Sequence, residues 1–368
     1  MAQNPLLELA ALGQSVWYDF VTRELLTSGA LATLIADDGL RGMTSNPTIF
    51  QMAIAGSTDY DADIRAHAAQ GHSAQETFEA LAVADVRAAC DAFAALHASS
   101  GGTDGLVSLE VSPELAYQTD ATVEEATRLW HAVDRPNLQI KIPGTAAGLP
   151  AVERCISEGI SINITLLFDV DRYREVVDAY VSGLETRVRK GLPINRIVSV
   201  ASFFVSRLDT KIDPMLDGLS APAALRSKAA IANAATAYEE FEHFIHSHRW
   251  ERLAEKGANV QRPLWASTSA KDPGLSDVYY VEALIAPDTV NTLPPATFDA
   301  YRDHGEPNVR IHETMAQAAS QLAALADVGI DLKTVTAELE REGVEKFAKS
   351  YRSLLAEIDS KAQALAGA

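Results

Sequence analysis

The sequence predicts an α/β fold, a (β/α)8 TIM barrel with additional helices. Short apolar runs recur along the chain, each followed by an amphipathic or Ala-rich stretch. That alternation argues for parallel strands joined by helical crossovers. Eight such runs can be traced, and eight strands close a barrel whose interior is filled by side chains. The runs are apolar on both faces, as needed where one face meets helices and the other fills the barrel. A doubly wound open sheet is the alternative on pattern alone. It calls for a Gly-rich turn after the first strand, and none stands there.

The strand-like runs are 15–20, 39–44, 105–111, 138–143, 161–168, 196–204, 263–267 and 289–293. Helical patterns lie between them at 22–36, 74–98, 122–133, 148–157, 169–188 and 276–284. Asp169 stands where an N-cap belongs, and Thr122 with Glu125 three residues on reads as a capping box. Three stretches exceed the simple unit. Residues 51–101 hold two helices rather than one. A helical insertion covers about 208–257, with a turn at 219–222, and a helical extension covers about 311–368. With no internal repeat, low-complexity segment or linker, residues 1–368 read as a single domain. The amphipathic end of the tail, 333–364, either covers the barrel or dimerises, so monomer and homodimer both stay open.

Apolar residues make up 47% of the 368, ample for a buried core. Lys and Arg number 31 against 50 Asp and Glu, a net charge of −19. Nucleic acid and anionic membranes are therefore poor partners, because their phosphates would be repelled. A small phosphorylated substrate is not excluded, since a few local cations can hold one phosphate. The opening stretch MAQNPLLELA lacks a basic region followed by an apolar core, so no signal peptide is expected. Every apolar run falls short of the roughly 18 residues of a membrane span. Cys90 and Cys155 cannot build a disulfide framework and suit a reducing, cytoplasmic setting.

The polar residues that end or interrupt the strands carry the functional information, because the C-terminal ends of barrel strands face the active-site mouth. Asp19 follows large apolar neighbours and is either a helix N-cap or a group of the mouth. Strand two ends in Thr44-Ser45-Asn46-Pro47, either a capped turn or a polar cluster of the site. Glu110 sits in a run otherwise fit for burial, where an unpaired carboxylate costs several kcal/mol. Lys141 stands between Ile140 and Ile142 on strand four. Burial disfavours an ammonium, and the neutral amine is what attacks a carbonyl. The plainer alternative is a buried ion pair with Glu110. On strand five, Asn163 and Thr165 alternate with apolar residues, so they share one face and would look into the barrel beside Lys141. Ser202 lies on strand six and Arg207 opens the helix after it. Ser267 and Lys271 belong to a small-residue turn after strand seven. Backbone N–H groups there, with Arg207 and Lys271, would suit an anion.

No His/Cys/Asp set with metal-ligand spacing is visible; His243, His246 and His248 fall in a polar helical stretch. No phosphate loop, nucleophile elbow or cofactor fingerprint appears either, so neither metal nor cofactor is expected. An amine with two acids and several hydroxyls suits carbonyl chemistry through an iminium.

Taken in order, these segments resemble the transaldolase family. Thr44-Ser45-Asn46-Pro47-Thr48-Ile49-Phe50 is similar to that family's second-strand signature. Ile140-Lys141-Ile142-Pro143-Gly144-Thr145, with Gly148-Leu149, is similar to the segment carrying its Schiff-base lysine. Ser108-Leu109-Glu110-Val111 and the run from Ile162 to Phe168 fit its third and fifth strands. The resemblance spans about 15–310, and the length and insertion suggest the longer bacterial branch. It implies Lys141 as the nucleophile for a ketose C2 carbonyl and Asp19 as the base on the C4 hydroxyl. It further implies Glu110 and Thr165 as the pair that orders a water. Asn46, Asn163 and Ser202 match positions that hold a dihydroxyacetone moiety and Arg207 a phosphate-binding arginine, while the strand-end pattern adds Thr44, Ser267 and Lys271 as substrate-binding candidates. Two positions depart from the pattern. Lys271 replaces a common arginine at slightly different spacing, and would act as a point charge rather than a fork. Ser206 stands where shorter relatives often have glycine. The expected reaction moves a dihydroxyacetone unit from sedoheptulose 7-phosphate to glyceraldehyde 3-phosphate, giving erythrose 4-phosphate and fructose 6-phosphate in the non-oxidative pentose phosphate pathway. The rival is a class I aldolase, but the familiar ones carry their lysine on the sixth strand rather than the fourth. A non-catalytic sugar-phosphate binder would be expected to have lost the Lys, Asp or Glu, and all three are present.

Overall fold

The computed structural model describes residues 4–366. Residues 1–3 of the opening stretch and 367–368 of the tail lie outside the described residues.

Eight parallel strands close into a barrel in sequence order. They are β1 (Gln14–Tyr18), β2 (Gly42–Met43), β3 (Leu106–Glu110) and β4 (Leu138–Pro143), followed by β5 (Ile162–Leu167), β6 (Ser199–Phe204), β7 (Arg262–Ala266) and β8 (Thr289–Leu293). The expected barrel is thus present, with every strand inside or overlapping its predicted run. β2 is the most reduced, yet backbone bonds from Arg41 N to Val16 O and from Thr44 N to Tyr18 O extend its contact with β1.

Register sets the site. In parallel neighbours, paired residues share a face. Glu110 pairs with Lys141, and Lys141 with Asn163, so these three stand at one level of the interior. Ile140, Ile142, Ile162 and Ile164 alternate with them, fully buried, and turn outward to the helices. The pairing of β5 and β6 shifts between Ile164 and Leu167, where Leu166 has φ of 61°.

The two barrel ends differ in chemistry. At the N-terminal end, Ser15 Oγ donates to Asp104 Oδ1 (2.7 Å), and Arg41 and Arg262 pair with the same carboxylate at 2.6 and 3.2 Å. This network holds Asp104 well ionised despite burial, chiefly through the Arg262 charge. The opposite end is open.

Two helix readings need correction. The pattern at 22–36 is two helices, Arg23–Thr27 and Ala30–Asp37, because Gly29 between them takes φ of 88°. Thr122 and Glu125 form no capping box. Their helix runs Thr119–Val133 from Gln118, and Glu125 instead accepts the backbone N–H of Ser112 in the β3 loop. Asp169 does cap the helix Val170–Arg189, accepting from Arg172 N at 2.9 Å. Residues 51–101 contain the end of Pro47–Ala55, then Asp61–Ala69 and the long Ala74–Ser99.

The described residues end in the 35-residue helix Leu332–Ala366. Its buried stripe, Val335, Leu339, Gly343, Val344, Phe347, Tyr351, Leu354 and Ile358, follows the three-and-four spacing of an amphipathic helix. It packs on Pro47–Ala55, Asp61–Ala69 and Ala74–Ser99 and reaches β5. The tail therefore covers the barrel mouth. Each large apolar side chain it buries contributes about 1.5–3 kcal/mol to holding it there. No helix among the described residues is long and apolar enough to cross a membrane.

Candidate active site

A cleft of about 630 Å³ opens at the C-terminal ends of the strands. It lies within the usual size range of small-molecule sites. Lys141 lies at its floor, only 4% exposed. Its Nζ donates to the carbonyl of Ser45 (3.2 Å) and pairs with Glu110 Oε2 at 3.3 Å. β4 can place the amine there because Pro143 and Gly144 end the strand just beyond it. The helix Gly148–Glu158 then begins at once, and a Cβ on Gly148 would stand 2.0 Å from the Pro143 carbonyl oxygen. Only a glycine lets that helix start so close to the strand end.

Two acids flank the amine, and both are pushed up by burial. The Glu110 carboxyl rises to about 7, with Lys141 pulling the other way. Neither of its oxygens has a well-directed protein hydrogen bond. Asp19, the first residue after β1, is raised by burial against the opposing influence of Lys141, the Thr44 hydroxyl and Arg207. Thr44 Oγ1 donates to Asp19 Oδ1 at 2.6 Å and lies 2.8 Å from Thr292 Oγ1. Asp19 is therefore not a helix N-cap; Thr22 caps the next helix.

The remaining predicted residues divide by position. Thr165 lines the cleft, fully buried, and its Oγ1 has no protein partner. Ser202 also lines it, with its hydroxyl donating to Asn163 Oδ1 (2.7 Å), while Asn163 Nδ2 donates to Ser108 Oγ (3.0 Å). Asn163 lies beneath the cleft wall and orients Ser202. Asn46 caps the helix Pro47–Ala55, accepting from Ile49 N, and lines the cleft as well. Arg207, Ser267 and Lys271 meet at the outer rim with Ser206 and Ser269. The Arg207 guanidinium lies 4.7 Å from the Phe204 ring, which fixes its plane, and burial lowers its pKa. Lys271 Nζ donates to Ser269 Oγ.

Sequence reasoning offered the tail as a cover for the barrel but named none of the residues with which Leu332–Ala366 walls the cleft. Leu339, Gly343, Lys346 and Phe347 line the same cleft. Phe347 stands with its ring centre 5.8 Å from Lys141 Nζ and 5.9 Å from the Arg207 guanidinium carbon. The signal was a glycine in mid-helix. A Cβ on Gly343 would lie 2.9 Å from Leu166 Cδ2 and 3.5 Å from Arg207 Nη1. A helix-interior glycine costs about 1 kcal/mol relative to alanine, and close approach is the usual reason for one.

Barrel and cleft together define the class: a (β/α)8 enzyme with its polar groups on the C-terminal strand ends. Comparison with known proteins narrows it. The family model described as Transaldolase/Fructose-6-phosphate aldolase matches residues 16–358. The chain is 49% identical to a transaldolase of Frankia alni and 50% identical to one of Parafrankia sp., with 96% of both chains covered in each case. It is 47% identical to "Transaldolase 2" of a Nostoc species, with 99% of both chains covered. The chain is an enzyme belonging to the transaldolase/fructose-6-phosphate aldolase family.

Proposed function

We propose that the enzyme transfers a dihydroxyacetone unit between sugar phosphates through a Schiff base on Lys141. The observation that carries this reading is the buried Lys141 amine, held between the Glu110 carboxylate and the Ser45 carbonyl at the floor of a polar cleft. A carboxyl poised near 7 beside the reacting amine can take up a proton and return it during each turnover.

The amine adds to the C2 carbonyl of a ketose phosphate, and the carbinolamine loses water to give an iminium. Glu110 and Thr165, whose oxygens have no protein hydrogen bond to release, are suited to holding that water. Asp19 takes the proton of the C4 hydroxyl. The electrons of the C3–C4 bond move into the iminium, the aldehyde leaves, and an enamine stays on Lys141. An acceptor aldehyde then adds at C3, Asp19 returns the proton, and water frees the new ketose. Burial favours this role, since a raised carboxyl is a stronger base once ionised. Thr44, Asn46 and Ser202 would hold the three-carbon unit, with Asn163 orienting Ser202. Arg207, Ser267 and Lys271 would hold the phosphate. Sedoheptulose 7-phosphate and fructose 6-phosphate are the donors, glyceraldehyde 3-phosphate and erythrose 4-phosphate the acceptors.

Withholding the acceptor separates transfer from aldol cleavage. Fructose 6-phosphate alone should release no more than one equivalent of glyceraldehyde 3-phosphate per enzyme, with turnover restored by erythrose 4-phosphate. Steady release of free dihydroxyacetone would favour the aldolase reading. The tail and the helices between β6 and β7 pack on the barrel as parts of one folding unit. Cys90 and Cys155 are unpaired, buried thiols that suit a reducing cytoplasm.

A further inference from the structure

We infer that Lys346, on the C-terminal helix Leu332–Ala366, is a further substrate-binding cation, completing with Arg207 and Lys271 a three-sided cradle for a sugar phosphate. This rests on the phosphate reading of Arg207 and Lys271 given above. Three cations from three separate elements line one rim: Arg207 after β6, Lys271 after β7, and Lys346 on the tail. Among the described residues, none of the three has a carboxylate in ion-pair contact. Glu342, one turn before Lys346 and also on the rim, is held by Lys211 at 2.6 Å instead. Like charges gathered with no carboxylate in direct contact, in a chain of net charge −19, carry an electrostatic cost that a dianionic ligand relieves. The mutual proximity is also felt by Lys346 itself, whose pKa is lowered by burial and then by Arg207 and Lys271.

The helix is built to present this residue. Gly343 lets its backbone approach Leu166 and Arg207, and the next turn then carries Lys346 to the rim and Phe347 over the gap between Lys141 and Arg207. Lys346 is itself exposed, so its head group is free to swing onto an incoming phosphate. The tail would thus recognise the phosphorylated end of the sugar as well as wall the cleft.

Steady-state kinetics with fructose 6-phosphate as varied donor and saturating erythrose 4-phosphate as acceptor, and inhibition by inorganic phosphate, test this in the full-length K346Q, K346R and R207Q variants. K346Q should raise both KM and the phosphate Ki about 10-fold, as expected for one lost charge-assisted contact. K346R should recover most of both, and R207Q should raise both at least as much. K346Q values within twofold of wild type, beside a clear R207Q effect, would overturn the role of Lys346 alone. A lower kcat in K346Q with unchanged KM and Ki would overturn it too, because it would mark a purely structural contribution. No effect in either K346Q or R207Q would remove the phosphate reading of the rim as a whole.

Discussion

At the scale of single residues, the chemistry depends on Lys141 and two acids of unequal task. Asp19 is tied to Thr44, whereas the Lys141 amine pairs with Glu110, so the proposed work of Asp19 is confined to the C4 proton. D19N should therefore still form the iminium but fail to cleave it. We expect kcat to fall about 10²- to 10⁴-fold. Borohydride reduction of D19N with fructose 6-phosphate should trap a six-carbon phosphorylated adduct, whereas the wild type retains the three-carbon unit. A D19N enzyme turning over within threefold of wild type would remove Asp19 as the base. These residues were readable because each breaks an apolar run: Lys141 between isoleucines, Glu110 at the end of a buried strand. Lys346 and Phe347 were not, because nothing local distinguishes a lysine in an amphipathic helix from any solvated one.

Among the elements, β4 and the helix Gly148–Glu158 fix where the amine points. G148A would drive a methyl group into the Pro143 carbonyl, and a backbone atom cannot swing aside. We expect a loss of about 1–3 kcal/mol, read from the denaturant midpoint. kcat should fall with it, since the strand end that positions Lys141 must move. Unchanged stability in G148A would mean that helix and strand end are less tightly joined than the geometry indicates. Strands were the most legible elements, because each is a short apolar run bounded by turn residues. Helix boundaries were less so. The S/T-x-x-E spacing of Thr122 and Glu125 suggested a cap, but the Ser112 N–H from a neighbouring loop claims the Glu125 carboxylate. The covering position of Leu332–Ala366 depends on contacts with β5 and with helices more than 200 residues earlier, which no local pattern encodes.

For the whole molecule, burying acids in the barrel mouth makes folding pH-dependent. Burial lifts the Glu110 carboxyl from 4.5 to about 7. The folded state then binds more protons than the unfolded chain between these values. Its contribution is fully present below about pH 4.5 and is lost as pH rises through about 7, a change of roughly 3 kcal/mol in all. E110Q has no such proton to lose. Urea unfolding at steps from about pH 5 to pH 7.5 should therefore show a flatter stability profile in E110Q than in wild type. This holds whatever the offset caused by leaving Lys141 without its partner. Parallel profiles would show that Glu110 keeps an ordinary carboxyl.

The most direct test of the Schiff base is borohydride reduction of the wild-type enzyme with fructose 6-phosphate, followed by peptide mass spectrometry. The expected result is a reduced three-carbon adduct on Lys141 and on no other lysine, with activity lost in proportion to labelling. An active enzyme that leaves Lys141 unmodified, or carries the adduct on a different lysine, would contradict the proposed mechanism.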